Sequence, residues 1–246
     1  MGEQIVREVD DPRRRLLIEA LTLGLFSTVP AGIAWAQAFS SAPTKLPPGQ
    51  SIYRISGTAT VNGKPANLQT SVQPGDTVET GKDSEIVFVV GSHSMIVRAE
   101  SRLTIEGDKA ASSLLINGLR LLTGKLLSVS RNTSMKVTTA TATIGIRGTG
   151  WYAESDPEQT YFCTCYGSAD ISASNDPAST ERIVSTHHDR PLYILAKAAQ
   201  GTSIRNAPWR NHSDQELLLI ETLVGRTPPF SYQKKEYRPP PPPRDY

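Results

Sequence analysis

Residues 138–154, TTATATIGIRGTGWYAE, are the stretch that decides the fold. From Thr139 to Ile144, threonines alternate with alanine or isoleucine, so threonines fall on one side of an extended chain and apolar residues on the other. A period of two with many β-branched residues is typical of a pleated strand. The segment therefore predicts a strand of a β-sheet.

The alternation stops at a glycine-rich segment, residues 145–150, GIRGTG. Three glycines in six residues predict a tight backbone path or the close approach of another strand. We expect Gly145, Arg147, Gly148 and Thr149 to form a structural turn or a contact with a partner. The Arg147 guanidinium carries five donors and no acceptor. It either donates to carbonyl groups at strand ends, which would fix the turn, or binds a carboxylate ligand or a partner chain.

This segment resembles the signature of the FecR domain family, in which a strand of small residues runs into a Gly-(Val/Ile)-Arg-Gly-Thr turn. Three earlier segments fit the same family in the same order: 61–63 (VNG), 73–81 (QPGDTVETG) and 124–126 (GKL). The resemblance covers residues 52–173, about half of the chain. It implies a β-solenoid-like stack of strands in an extracytoplasmic domain.

Turn signals continue through residues 51–173, which we interpret as a FecR-like β domain. The pair Asn62-Gly63, between apolar residues, predicts a two-residue hairpin. Turn signals then recur about every 8 to 12 residues, which predicts an all-β fold, whether sandwich, barrel or solenoid. The resemblance favours the solenoid-like form. The expected core consists of Leu103, Ile105, Leu114, Ile116, Leu119, Leu121, Leu126, Val129, Val137, Ile144 and Ile146.

The amino-terminal residues 1–38 have the pattern of an export signal. A basic block, Arg13-Arg14-Arg15, precedes a mostly apolar run, and small residues follow at the spacing that a signal peptidase needs. The basic block also resembles a twin-arginine motif. The alternative is an uncleaved anchor, because about 20 apolar residues can span a bilayer. We therefore predict a periplasmic or secreted protein that touches the membrane only through an uncleaved segment, with residues 39–50 as a proline-rich linker.

The carboxyl-terminal residues 174–230 form an extension with mixed signals. Residues 192–199 are apolar and fit either a strand or a helix. Ser213 and Glu216 have the spacing of a capping box and predict one helix that ends at Gly225. Residues 231–246 form a proline-rich tail, which is either a passive segment or a polyproline II ligand for an aromatic groove on a partner.

Cys163 and Cys165 are the only cysteines, and they share one face of a predicted strand. Such residues lie about 6.5–7 Å apart, at or beyond the limit for a relaxed disulfide. As thiolates they could hold a soft metal, and His187 and His188 would complete a Cys2His2 set for zinc or copper(I), with Asp189 orienting one imidazole. Two alternatives stay open: buried small residues beside a surface histidine pair, and a redox-active or intermolecular thiol pair.

The overall composition limits the classes of function. A net charge of +2 gives no electrostatic case for nucleic-acid binding. The chain contains no Gly-x-Ser-x-Gly, no His-Glu-x-x-His and no phosphate-binding glycine loop, so we predict no enzyme and no catalytic residue.

The sequence favours an exported FecR-like binding, scaffold or sensory module that contacts an envelope or periplasmic protein. The alternative is a metal-binding or thiol-redox protein that uses the Cys-x-Cys strand and the His-His pair.

Overall fold

The computed structural model describes residues 43–108, 115–130, 134–199 and 201–230. The described chain is mostly β-sheet with one short carboxyl-terminal helix, which confirms the all-β class. The predicted export signal and the proline-rich tail lie outside the described residues. No helix in the described part is both long enough and apolar enough to cross a membrane.

Fourteen strands and one helix follow one another along the described chain. The elements are β1 (Ile52–Ser56), β2 (Ala59–Val61), β3 (Lys64–Pro65), β4 (Thr77–Thr80), β5 (Glu85–Val90), β6 (His93–Val97), β7 (Arg102–Asp108), β8 (Leu115–Val129), β9 (Ser134–Thr139), β10 (Ala142–Ser155), β11 (Gln159–Ala173), β12 (Asp176–Ser185), β13 (Leu192–Ala199), β14 (Thr202–Asn206) and α1 (Asp214–Leu223). The predicted hairpin at Asn62-Gly63 is confirmed, because Val61 pairs with Lys64 across it.

The strands form one open sheet in the order β14-β13-β11-β10-β9-β8-β7-β4-β2-β3. β12 pairs with β11, while β1, β5 and β6 form a branch that joins β8 through β6. Among the described strands, every pairing is antiparallel except that of β8 with β9. The sheet is therefore built mainly from chain reversals between neighbouring strands.

Two long strands change partners midway at glycines. β8 pairs with β7 up to Thr123 and with β10 from Gly124 onwards. β10 pairs with β9 up to Arg147 and with β8 from Gly150 onwards. Gly124 has φ +94° and Gly148 has φ +59°, positive values that glycine adopts at lower energetic cost than other residues. These glycines allow each strand to bend from one part of the sheet into another.

The segment predicted as a glycine turn lies inside β10, so that prediction is wrong. Arg147 is paired on both sides, with Ser134 of β9 and Ser168 of β11. The register then shifts between Arg147 and Gly150, which marks a β-bulge. The chain does not reverse here because β11 pairs with β10 on both sides of the bulge, and the Thr149 hydroxyl donates to the Ser168 carbonyl at 3.0 Å.

The actual reversal lies earlier, within the alternating threonine segment. β9 ends at Thr139 and β10 begins at Ala142, so the strand predicted over residues 138–144 is divided by a bend. The Ala142 amide donates to the Thr139 hydroxyl at 3.0 Å, which closes the bend. The Thr141 hydroxyl donates to the Ile194 carbonyl at 2.8 Å. Threonine side chains therefore satisfy the backbone groups that a ladder would otherwise pair.

The sheet continues past Ala173 into the carboxyl-terminal extension. β12 and β13 pair with the two halves of β11, and β14 pairs with β13. The ambiguous segment at 192–199 is a strand. β11 is therefore flanked by β10 on one side and by strands of the extension on the other, and it carries both cysteines.

Two apolar clusters form the core of the part of the chain that the structure describes. The first includes Leu103 and Trp151, and the second includes Tyr152 and Tyr161 together with the buried face of α1. All of the expected core residues that the structure describes are buried, and Leu114 lies outside the described residues. Most of them belong to the first cluster, whereas the cysteines belong to the second.

Helix α1 packs its apolar side on the second cluster. Its buried residues include Leu217, Ile220 and Leu223. The capping box is confirmed, because the Ser213 amide donates to the Glu216 carboxylate at 2.8 Å and the Glu216 amide donates to the Ser213 hydroxyl at 3.4 Å. The cap fixes where the helix starts, and therefore where the residues just before it lie against the sheet.

Charged residues of α1 form contacts with the sheet and with the segment that follows the helix. Arg98 donates to Glu216 at 2.6 Å. Glu221 is fully buried and accepts from the Tyr166 hydroxyl at 2.5 Å and from Arg226 at 2.6 Å. The helix is thus held by buried polar contacts as well as by apolar packing.

Candidate metal centre

Cys163 and Cys165 project from the same face of β11 into the second cluster. Both side chains are fully buried, and both thiols are free. They lie two residues apart on one strand, as the sequence predicts, and neighbour Tyr152 and Leu127 in the cluster. The pair therefore faces the inside of the protein, beneath the carboxyl-terminal segment.

His188 reaches the cysteines from the loop between β12 and β13. Its backbone amide donates to the Cys165 carbonyl at 2.9 Å, and its φ of +55° turns the chain sharply at this position. Its Nδ1 atom lies 3.5 Å from the Cys163 sulfur. The loop therefore brings one imidazole against the thiol pair.

His212 completes the group from the segment that precedes α1. Its ring stacks on Tyr152 with centroids 4.6 Å apart. Glu154 of β10 holds the segment in place, because it accepts from Arg210 at 2.5 Å and from Asn211 at 2.7 Å. The Nε2 atom of His212 then lies 3.0 Å from Nδ1 of His188.

The four side chains present one potential metal-binding atom each, all within 4.8 Å of one another. Zinc bonds of about 2.3 Å to sulfur and 2.0–2.1 Å to nitrogen place tetrahedral ligands about 3.3–3.8 Å apart. The Cys163–His188 and His188–His212 distances of 3.5 and 3.0 Å are close to these values. Cys163, Cys165, His188 and His212 thus form a Cys2His2 group in which two of the ligand–ligand distances are close to those of a zinc site.

In each imidazole, the ring nitrogen that faces away from the four-atom group, here called the outer nitrogen, is already hydrogen-bonded to an acceptor. Nε2 of His188 lies 3.1 Å from the Asp214 carboxylate, and Nδ1 of His212 lies 2.7 Å from the Arg210 carbonyl. Each of these nitrogens therefore carries a proton, and the two inner nitrogens of the neutral rings face each other as acceptors. Two such lone pairs 3.0 Å apart repel unless a cation lies between them. A proton on His188 would satisfy this pair, and a metal ion would satisfy all four atoms.

The electrostatic environment separates the two thiols. The hydrogen bond from Cys165, opposed by burial and assisted by His188 and His212, lowers the pKa of Cys163 to about 4. Burial and the neighbouring Cys163 raise the pKa of Cys165 well above its ordinary value. Burial alone would lower the pKa of His188, but contacts with Cys163 and Asp214 raise it. The group thus contains a thiolate next to an imidazole, and the thiolate is the metal-binding form of cysteine.

The structure corrects two parts of the predicted site. His187 lies beside the four-residue group without belonging to it, and its Nε2 atom is 2.9 Å from Asp214. Both histidines of the loop direct Nε2 at Asp214, but only His188 also brings its Nδ1 atom to Cys163. Asp189 does not orient an imidazole, because it accepts from the amide and hydroxyl of Thr186. Asp214 takes that role instead.

Sequence reasoning missed His212 and Asp214. His212 lies 24 residues after His188, and no spacing rule connects the two. One feature of the sequence could have drawn attention to His212: it comes immediately before the capping Ser213. A residue at the start of a capped helix is held in a defined position, as a metal ligand must be. Without the strand order, nothing indicated that this helix start lies over β11.

Arg147 occupies a different part of the molecule. It is exposed, and its side chain forms neither a hydrogen bond nor an ion pair with any residue that the structure describes. It lines a cavity of about 680 Å³ together with Ser134, Ser168 and Ser185. Its predicted bonds to strand-end carbonyls are therefore absent among the described residues, and its contact with a partner stays a prediction.

The fold and the site define an all-β protein with a candidate Cys2His2 centre between sheet and helix. No family model matches the chain, and no curated protein matches it. Two crystal structures of a proposed anti-sigma factor from Parabacteroides distasonis ATCC 8503, at 1.65 and 2.50 Å, match with a TM-score of 0.43 and 9% identity. The match covers 55% of this chain and 60% of theirs. Similarity at this level supports no conclusion about function, and the resemblance to FecR domains stays a prediction.

Proposed function

We propose that the protein is an exported β module that binds one transition-metal ion through Cys163, Cys165, His188 and His212. The observation that carries the proposal is the convergence of four ligand atoms within 4.8 Å of one another. The four residues come from three separate segments of the chain, so their meeting is not a consequence of sequence proximity. A set of two sulfurs and two imidazole nitrogens suits zinc or copper(I).

The surroundings of the four residues support a metal site over a packed apolar cluster. Asp214 and the Arg210 carbonyl hold the imidazoles by their outer nitrogens, as outer partners do in known metal centres. Without a metal, the His188–His212 contact requires a proton on His188, whereas a metal ion would satisfy both nitrogens and both sulfurs together. On binding, Cys165 would lose its thiol proton to solvent, so the apparent affinity would fall as the pH is lowered.

The role that we propose for the bound metal is structural. All four coordination positions are filled by protein side chains, whereas catalytic zinc sites keep one position for water or substrate. The ion would join β11, the β12–β13 loop and the segment before α1. The module would then present a rigid surface to an envelope or periplasmic partner, with residues 145–149 and the cavity beside Arg147 as one contact.

Metal content of the purified protein tests the proposal. The mature chain is expressed without an affinity tag and purified without chelators, and its metals are measured by mass spectrometry. We expect one zinc or copper ion per chain. Cys163→Ser with Cys165→Ser, and separately His212→Asn, should lose the ion because each change removes ligand atoms. Protein that is folded and contains neither metal, even after incubation with either ion, would contradict the proposal.

Two further variants test whether residues next to the four ligands contribute to metal binding. His187→Ala should keep the full metal content, because His187 lies outside the four-residue group. Asp214→Asn should keep the fold and bind the ion about 10 to 100 times more weakly, because it keeps all four ligands but alters the outer partner of His188. Equal losses in all variants would indicate unfolding, and circular dichroism of each variant separates that outcome from loss of a ligand.

A further inference from the structure

We infer that His187 and Asp214, hereafter the capture pair, form a second, transient metal site through which the ion reaches the buried centre. The inference rests on the proposed function, because it requires a metal at the four-residue centre. It assigns a role to the one histidine of the loop that the centre leaves out. The ligand would be the same ion, zinc or copper, held for the time of transfer.

Burial of the centre creates the need for such a site. The cysteines are fully buried and His212 is 2% exposed, while the His188 side chain is 9% exposed. An ion arriving from solvent carries a shell of water that these side chains must replace. The side chains of His187 and Asp214 are 48% and 29% exposed, so they can bind an ion that is still partly hydrated.

The capture pair brings two kinds of metal-ligand atom, an imidazole nitrogen and carboxylate oxygens, next to each other. Nε2 of His187 lies 2.9 Å from both carboxylate oxygens of Asp214. With His188, the pair forms a second group whose ligand atoms all lie within 4.8 Å of one another. An imidazole nitrogen and a carboxylate are both ligands for zinc. The remaining positions of an ion held there would be filled by water.

His188 connects the two sites. Its Nε2 atom faces Asp214 at 3.1 Å, and its Nδ1 atom faces Cys163 at 3.5 Å and His212 at 3.0 Å. The same ring therefore lies between the two groups, with its Nε2 proton on Asp214 and its Nδ1 atom at the four-residue centre. An ion on the capture pair lies one side chain away from the thiolates, and it moves inwards by exchanging water and carboxylate for sulfur.

The His187 ring is held in place for this role. It packs against His188 with ring centroids 4.8 Å apart and against Phe230 at 4.7 Å. The orientation keeps Nε2 directed at Asp214 while the side chain stays 48% exposed.

Kinetics separate a capture site from the resting centre. A side chain that helps the ion to pass, but does not bind it in the buried centre, changes the rate constants of loading and release by the same factor. The dissociation constant is the ratio of the two rate constants, so it stays unchanged. His187→Ala should therefore slow zinc loading and zinc release to a chromophoric chelator by about tenfold or more, since the path into the site is altered. Its dissociation constant for zinc should stay within about threefold of the wild-type value, because the four ligands and their outer partners remain.

Two controls make the test specific. Glu181→Ala removes an exposed carboxylate paired with Arg190 near the same loop and should leave both rates unchanged. Added imidazole should restore loading in His187→Ala, measured against wild type in the same imidazole. Loading and release rates in His187→Ala equal to those of the wild type would overturn the inference. A raised dissociation constant for zinc with an unchanged loading rate would also overturn it, because His187 would then only hold Asp214 in position. Failure of the wild type to bind zinc or copper at all would instead overturn the proposed function.

Discussion

Chelation of the bound metal is expected to lower the melting temperature of the protein by roughly 8–16 °C. When free metal exceeds its dissociation constant about 1,000-fold, binding stabilises the native state by about 4 kcal/mol. In a chain of this size each kcal/mol shifts the melting temperature by about 2–4 °C. The shift follows because the unfolded chain does not hold the four ligands together. Differential scanning calorimetry with and without a chelator measures it.

Loss of the metal should act first on the segment before α1. His212 is the only ligand from that segment, and its inner nitrogen would lose the ion that joins it to β11. Contacts of the segment with Glu154 and Arg98 would remain. We therefore expect faster tryptic cleavage after Arg210 in the chelated protein, while the sheet stays resistant.

The double variant Cys163→Ser/Cys165→Ser provides the control for both measurements. It cannot bind the metal in the proposed way, so the chelator should change neither its melting temperature nor its digestion pattern. Identical melting and digestion of wild-type protein in the two conditions would show that no metal joins the sheet to the helix.

Substitution of Glu221 by alanine is expected to destabilise the protein by about 3–5 kcal/mol, because it breaks a buried ion pair by removing one partner. Glu221 is fully buried, and Arg226, at 2.6 Å, has a side chain that is only 18% exposed. The change leaves the Arg226 guanidinium with the Ser92 carbonyl but without a carboxylate partner, and it removes an acceptor of the Tyr166 hydroxyl. Urea unfolding at neutral pH measures the difference.

An exposed ion pair gives the matched control. Glu181→Ala removes the partner of Arg190, whose side chain is 44% exposed, and should cost at most about 1 kcal/mol. Glu221→Gln should fall between the two, since an amide oxygen can still accept from Tyr166. A loss for Glu221→Ala no larger than that for Glu181→Ala would contradict the claim that this contact attaches α1 to the sheet.

Local sequence patterns predicted those features that depend on neighbouring residues. Ser213 and Glu216 are three residues apart, and their spacing alone defines the capping box. The pair Asn62-Gly63 predicted a hairpin for the same reason, since two residues determine the turn. Core positions such as Leu103 and Ile105 follow from the period of two within one strand.

Features that depend on strand order were not predictable in this way. Gly148 permits a turn and also permits a bulge, and only the pairing of β10 with β11 beyond it selects the bulge. The bend at residues 140–141 is closed in part by the Ile194 carbonyl, which belongs to a distant strand. Alternation alone carries no information about such a partner.

Only part of the candidate site could be predicted from the sequence, for the same physical reason. Cys163 and Cys165 share a face because they are two residues apart on one strand. The choice between His187 and His188 depends on loop geometry, and His212 arrives through the packing of α1. A ligand set assembled from three segments becomes visible only when the tertiary structure is known.

X-ray absorption spectroscopy of the metal-loaded protein tests the central claim most directly. The account predicts a first shell of two sulfur atoms at about 2.3 Å and two imidazole nitrogens at about 2.0–2.1 Å from zinc. A shell made only of nitrogen and oxygen, with no sulfur, would contradict it.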